Sequence, residues 1–144
     1  METWELAARE GIRDTIARYN HAGDRGRIAE MVACFADDGV LEVHGASIHT
    51  GHAALHEFFG GVATGTSAPS GLHVLRHCVT NTLIEVASPV AAQANSYFQV
   101  ITDIGLDHWG TYRDRFVHDG RTDRWLLTHR SVKTDGYATD SFFA

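Results

Sequence analysis

The run His73-Val74-Leu75-Arg76-His77-Cys78-Val79-Thr80-Asn81-Thr82-Leu83-Ile84-Glu85-Val86 is rich in β-branched and apolar residues with polar ones between them, which is the pattern of a strand with one face on a core. Three similar runs follow at 90–102, 109–118 and 124–134. Turn signals separate them at Ser88-Pro89, Ile104-Gly105 and Asp119-Gly120. Everything beyond His73 is therefore predicted to be β structure. Long consecutive strands joined by short turns pair antiparallel.

The residues before this run read differently. Residues 4–22 are predicted to form a helix, because Ile12, Ile16 and Tyr19 recur at spacings of four and three. Gly23 is the expected stop. A second short helix follows, with Ile28, Met31, Val32 and Phe35 as its apolar stripe. Ala36-Asp37-Asp38-Gly39 reads as a turn, residues 40–44 as a strand, and residues 52–59 as a third helix facing inward through Leu55, Phe58 and Phe59. Residues 60–71, with their Gly, Thr and Ser and with Pro69, read as a loop at the rim of a pocket. Helices first and strands after them predict an α+β fold in which the N-terminal helices pack inside a strongly curved, mainly antiparallel sheet. Such a cone encloses a pocket of small-molecule size.

Bulk properties narrow the partners. A chain of 144 residues is expected to form one domain spanning 1–144. Its 44% hydrophobic and 21% charged residues are those of a globular protein. The formal charge of −6 and the single lysine, Lys133, speak against nucleic acid and phosphate as partners. No apolar run approaches membrane-spanning length, and residues 1–11 carry no signal-peptide core, so no membrane partner is expected. Cys34 and Cys78 have no motif spacing and read as free thiols in a reducing cytoplasm.

The residues that carry chemistry lie in two short stretches, Tyr19-Asn20-His21-Ala22-Gly23-Asp24 and Arg76-His77-Cys78-Val79-Thr80-Asn81. A carboxylate that orients a histidine is minimal machinery for removing a proton. Asp24 closes the first helix and equally reads as the N-cap of the second. His77 shares its strand face with Leu75 and Val79, where a histidine hydrogen-bonded into the core is the competing reading. Tyr19 lies on the core stripe of the first helix. Arg130 lies on the last strand between Thr128 and Val132. If it faces inward, its charge needs a partner, and an anionic substrate or a developing negative charge would supply one. Asp114, between Arg113 and Arg115, is a weaker candidate for holding a hydrolytic water. His52 and His56, one helical turn apart with His49 nearby, lack the HExxH pattern and read as a polar helix face, so no metal is expected. No nucleophile elbow, P-loop or dinucleotide fingerprint occurs, and no cofactor is expected.

At this point the chain resembles the SnoaL-like branch of the NTF2-like superfamily. The pieces carrying the likeness run from Ile12-Arg13-Asp14 through Asp24-Arg25-Gly26, Cys34-Phe35-Ala36-Asp37-Asp38 and Gly51-His52-Ala53-Ala54-Leu55. They continue through Arg76 to Asn81, Gly110-Thr111-Tyr112-Arg113-Asp114-Arg115, and Trp125 to Arg130. Scytalone dehydratase, bile-acid 7α-dehydratase and hexachlorocyclohexane dehydrochlorinase in that superfamily perform eliminations with an Asp–His pair. The resemblance implies that Asp24 and His77 are that pair. It matches Tyr19 to the bile-acid enzyme's active-site tyrosine and Arg130 to the dehydrochlorinase's last-strand arginine. The dehydrochlorinase's first-helix lysine is replaced by Tyr19, which speaks against dehydrochlorination. The second histidine of scytalone dehydratase has no motif match, although His108 and His129 lie on strands leading toward the pocket. The resemblance also implies a homo-dimer or homo-trimer. The expected function is a cofactor-independent lyase of the dehydratase type, or an isomerase, acting on a small hydrophobic cyclic or polycyclic molecule. The alternative is a non-catalytic ligand binder or structural subunit like a dioxygenase β subunit. That alternative predicts Asp24 capping the second helix, His77 in the core, and no cavity.

Overall fold

Helix α1 (Thr3–Asp24) buries Ala8, Ile12, Ile16 and Tyr19, the stripe its periodicity marks. It runs through Gly23, the expected stop, and ends where Gly26 takes a left-handed φ of 68°. The Gly26 N–H reaches the Gly23 carbonyl at 3.2 Å and the Arg27 N–H reaches the Ala22 carbonyl at 2.9 Å, which closes the helix as a Schellman motif. Gly23 sits inside the helix, where an added Cβ would meet Met31 Cε at 3.1 Å. Asp24 is thereby the last helical residue.

The computed structural model describes residues 1–64 and 71–144. Helix α2 (Ile28–Val32) is shorter than its apolar stripe suggests, because Phe35 opens strand β1 (Phe35–Val43). The Leu127 N–H bonds the Cys34 carbonyl at 2.8 Å, and the register then shifts between Phe35 and Val40. The expected turn at residues 36–39 is this irregular part of β1. A short strand β2 (Ser47–Thr50) pairs back onto β1, and the hydropathy pattern does not mark it. Helix α3 (His52–Thr64) continues past Phe59 through Gly60 and Gly61, so the first part of the expected rim loop is helical. Residues 65–70, the rest of that loop including Pro69, lie outside the described residues.

The four long strands are β3 (Leu75–Ser88), β4 (Ala91–Thr102), β5 (Gly105–Asp119) and β6 (Arg124–Tyr137). With β1 and β2 they form an open, curved sheet in the order β2-β1-β6-β5-β4-β3. All neighbours pair antiparallel except β1 and β6, which run parallel. The α+β expectation holds, with β6 slotted between β1 and β5.

Strand β3 changes phase along its length. Leu75, His77 and Val79 turn inward, then Asn81 takes φ 53° and the register with β4 shifts between Thr80 and Leu83. Beyond the bulge, Thr82, Ile84 and Val86 turn inward instead. Without that extra residue, His77 and Ile84 would face opposite sides of the sheet. The core between helices and sheet is centred on Ile12, Phe35, Leu41, Leu55 and Leu127, all at most 2% exposed. Burying such a side chain contributes roughly 1.5–3 kcal/mol.

Candidate active site

The end of α1 and the start of β3 meet through Asp24 and His77. His77 Nδ1 lies 2.6 Å from Asp24 Oδ1, and the His77 main-chain N–H reaches the two carboxylate oxygens at 3.2 and 3.1 Å. With Asp24 accepting, the ring proton sits on Nδ1 and the Nε2 lone pair is left free. Nε2 has no hydrogen-bond partner among the described residues. Asp24 does not cap α2, whose N-cap is Arg27 with no side-chain cap bond. A carboxylate at a helix C-terminus is opposed by the macrodipole, at a cost of about 0.3–1 kcal/mol. Helix stability therefore does not account for Asp24, whereas its contacts with His77 do.

Tyr19 is 7% exposed, and its ring stands edge-on to Phe35 and Phe59, with both pairs of centroids 6.0 Å apart. Behind it lies Arg130, which is fully buried. Its guanidinium sits 4.5 Å from the Tyr19 ring centroid and 3.9 Å from that of Tyr112, a cation held between two tyrosines. Arg130 faces inward, but its counter-charge comes from the protein. Nε and one terminal nitrogen donate to the two oxygens of Asp114, both at 2.8 Å. The expectation that an inward Arg130 needs an anionic ligand is corrected by this pair. The idea of Asp114 as a water holder is corrected too, because both its oxygens are occupied and it is buried. Of the three Arg130 guanidinium nitrogens, Nη1 has no partner among the described residues and is sealed from solvent. Burial pushes the hydroxyls of Tyr19 and Tyr112 above the usual tyrosine range, with Arg130 opposing the rise, so both stay neutral donors.

These groups border a cavity of about 720 Å³ enclosed by the sheet and the helices. Tyr19, Asp24, His77 and Tyr112 line it, whereas Arg130 stands one layer behind the two tyrosines. Its apolar lining includes Met31, Leu41, Phe58, Phe59 and Val132, and its polar lining includes His108 and Tyr137 together with His77. Asn20 also lines the cavity, with its Oδ1 buried and unpartnered. A second cavity of about 470 Å³ touches the far side of Asn20 and His77. Sequence reasoning missed Asn20 and Tyr112. Asn20 is adjacent to Tyr19 but carries no signal of its own. Tyr112 alternates with Gly110 and Asp114 on β5, which does mark it as facing inward.

The remaining histidines divide between surface and pocket. His129 is half-exposed and 3.3 Å from Glu42. His52 Nε2 lies 2.9 Å from the Phe35 carbonyl oxygen, and the His49 ring packs against that of Phe58, tilted by 31° with centroids 4.1 Å apart. Both are engaged in packing the third helix and the hairpin. Among the described residues no group of three or more His, Cys, Asp or Glu side chains is arranged to hold a metal ion. Cys34 is a buried free thiol and Cys78 an exposed one. No helix among the described residues is long and apolar enough to cross a membrane.

A helix-filled, curved sheet with a histidine–carboxylate pair at its cavity defines a class of small α+β proteins. Within it, the chain belongs to the SnoaL-like domain family, whose model matches residues 4–131. The fold is similar to that of a putative scytalone dehydratase from Novosphingobium aromaticivorans, at TM-score 0.81 and 19% identity over 96% of this chain and 91% of that one. It is also similar to a hexachlorocyclohexane dehydrochlorinase from Novosphingobium barchaimii, at TM-score 0.75 and 15% identity over 94% and 91%. A protein of unknown function from Mycobacterium tuberculosis matches at TM-score 0.77 and 24% identity, over 97% of this chain and 79% of that one. At these identities the likeness is one of fold. No match was found among the curated proteins.

Proposed function

We propose that the protein is a cofactor-independent lyase, eliminating water from a small hydrophobic cyclic or polycyclic alcohol. The observation that carries this reading is the 2.6 Å contact of His77 Nδ1 with Asp24, with His77 lining a 720 Å³ cavity whose wall includes Met31, Leu41, Phe58 and Phe59. His77 Nε2 takes the proton from a carbon beside a carbonyl. Asp24 holds the tautomer and stabilises the imidazolium that forms. Tyr19 donates to the carbonyl oxygen as it gains negative charge. Arg130 acts through the Tyr19 and Tyr112 rings, placing a buried positive charge behind their hydroxyls. The C–O bond then breaks, the imidazolium proton passes to the departing hydroxide, and an alkene and water result. Isomerisation would use the same first step and return the proton to another carbon.

Bicyclic β-hydroxy ketones test the reading, because their dehydration creates an enone absorbance. Wild-type protein is expected to turn them over, and His77→Ala to abolish turnover with the fold intact. An active His77→Ala variant would overturn the assignment. The proposal extends to assembly as a dimer or trimer through the outer sheet face, where Leu83, Tyr97 and Trp109 are exposed. A monomer in light scattering removes that part alone.

A further inference from the structure

A second histidine–aspartate pair borders the same cavity. His108 Nδ1 lies 2.8 Å from Asp107 Oδ1, and Asp107 is fully buried. Asp107 is also the point where the C-terminal segment is fastened. The Ser141 hydroxyl donates to its Oδ1 at 2.5 Å, the Phe142 N–H to its Oδ2 at 2.9 Å, and Thr102 Oγ1 to the same oxygen at 3.0 Å. The Ala138 N–H adds a bond to the Asp107 main-chain carbonyl at 2.7 Å. This clasp brings the Phe143 ring to 5.1 Å from the His108 ring, while Tyr137 stacks on it at 5.6 Å. His108, Tyr137 and Phe143 all line the cavity.

The register fixes where this group stands relative to the first pair. His77 pairs with Val100, Val100 with His108, and His108 with Tyr137, a row across four strands on one face of the sheet. Two strand spacings separate the two histidines, ~10 Å between their backbones. The carboxylate of Asp107 is held at about 2, because burial, which would raise it, is outweighed by the bonds from Ser141, Phe142, His108 and Thr102. It is therefore ionised and can only accept, which puts the His108 proton on Nδ1. Burial pushes His108 below the ordinary histidine range, against the pull of Asp107. The ring is neutral, its Nε2 has no partner among the described residues, and two aromatic rings bracket it.

We propose that His108, framed by Tyr137 and the clasped Phe143, is a specificity-determining subsite that accepts a hydrogen bond from a hydroxyl group on the ligand's ring. A neutral acceptor at this place favours a phenol or alcohol and disfavours a ketone, an ether or a carboxylate, whose oxygens bring no proton. The inference deepens the lyase reading by giving the substrate a second polar point on the cavity wall, apart from the one His77 attacks. It stands on its own geometry and does not require that His77 be catalytic.

The test uses 2-naphthol and its methyl ether, 2-methoxynaphthalene, titrated into the full chain by calorimetry. Wild-type protein is expected to prefer the naphthol at least tenfold. His108→Phe is expected to bring the two within about twofold while still binding the ether. In wild-type protein labelled with ¹⁵N, the His108 Nε2 resonance is expected to move with the naphthol and not with the ether, which decides the matter even if His108→Phe folds poorly. Failure of 2-naphthol to bind, equal affinities in the wild type, or an unmoved His108 resonance would each overturn the subsite. So would a preference that survives His108→Phe. Turnover of the β-hydroxy ketones reports on His77 separately, so the two readings fail independently.

Discussion

The two histidine–aspartate pairs at the cavity are built in opposite ways. Asp24 and His77 are 53 residues apart and meet where a helix ends against a strand. Asp107 and His108 are neighbours on one strand, and the long-range element is the tail that closes over them. The first pair keeps contact with solvent, its side chains being 25% and 11% exposed. The second is more enclosed, at 13% and 0%. A ring that must gain and lose a proton needs surroundings that tolerate its charge. A ring that only accepts a hydrogen bond is better sealed and neutral. On the proposed readings, the same pair of residue types would serve proton transfer in one place and recognition in the other.

The largest effect is expected at the buried cation, which stands apart from both pairs and behind the two tyrosines of the cavity. Asp114→Ala leaves Arg130 uncompensated and is expected to cost about 3–5 kcal/mol in urea unfolding. A cost below about 1 kcal/mol would mean the guanidinium had found another partner. Next comes Asp24→Asn, which separates the pairs. It is expected to lower turnover of the β-hydroxy ketones about 10²- to 10⁴-fold by loosening the His77 tautomer, while 2-naphthol binding stays intact. Equal losses in both assays would erase the division of labour.

Acid sharpens the contrast further. Folded His108 resists protonation more than the unfolded chain, whose histidine titrates near 6.5, so stability is expected to fall as pH drops below that value. Folded Asp107 stays ionised to about 2 against an ordinary 3.8, so a further loss of about 2 kcal/mol is expected as pH falls from 3.8 to about 2. Urea unfolding across pH measures this, and Asp107→Asn should remove the lower limb. The smallest effect is expected from Gly26→Ala, where φ 68° imposes about 1 kcal/mol on any side chain. Because Gly26 ends the helix that carries Asp24, its turnover should drop more than its stability does. Its naphthol affinity should not change.

Much of this was legible in the sequence, for local reasons. The stripe of Ile12, Ile16 and Tyr19 and the alternation of Leu75, His77 and Val79 placed Tyr19 and His77 inside, because periods of 3.6 and 2 depend only on near neighbours. The partner of Arg130 was not legible. Asp114 lies 16 residues away, and the pairing depends on a β5–β6 register that is interrupted between Arg115 and Phe116. The start of β1 was hidden for the same kind of reason, since its irregular residues Ala36-Asp37-Asp38-Gly39 are those of a turn. Gly23 looked like a helix stop, but the backbone of Gly26 decided the end. Asp107 carries no signal of its own, since nothing near it in sequence announces Ser141.

The place of β6 in the sheet has a consequence for how the chain comes together. Synthesis proceeds from the N-terminus, so β1 and β2 can pair early, and β3, β4 and β5 can form their own meander. Each piece then carries an open edge, and only residues 124–137 bridge them. Contacts of such wide sequence separation form slowly, and unpaired edges invite association with other chains in the meantime. Arg130 travels on that bridging strand, so its charge arrives at Asp114 in the same event that joins the two pieces. Strand β6 is the keystone of the sheet, and it also supplies Val132 and Tyr137 to the cavity wall.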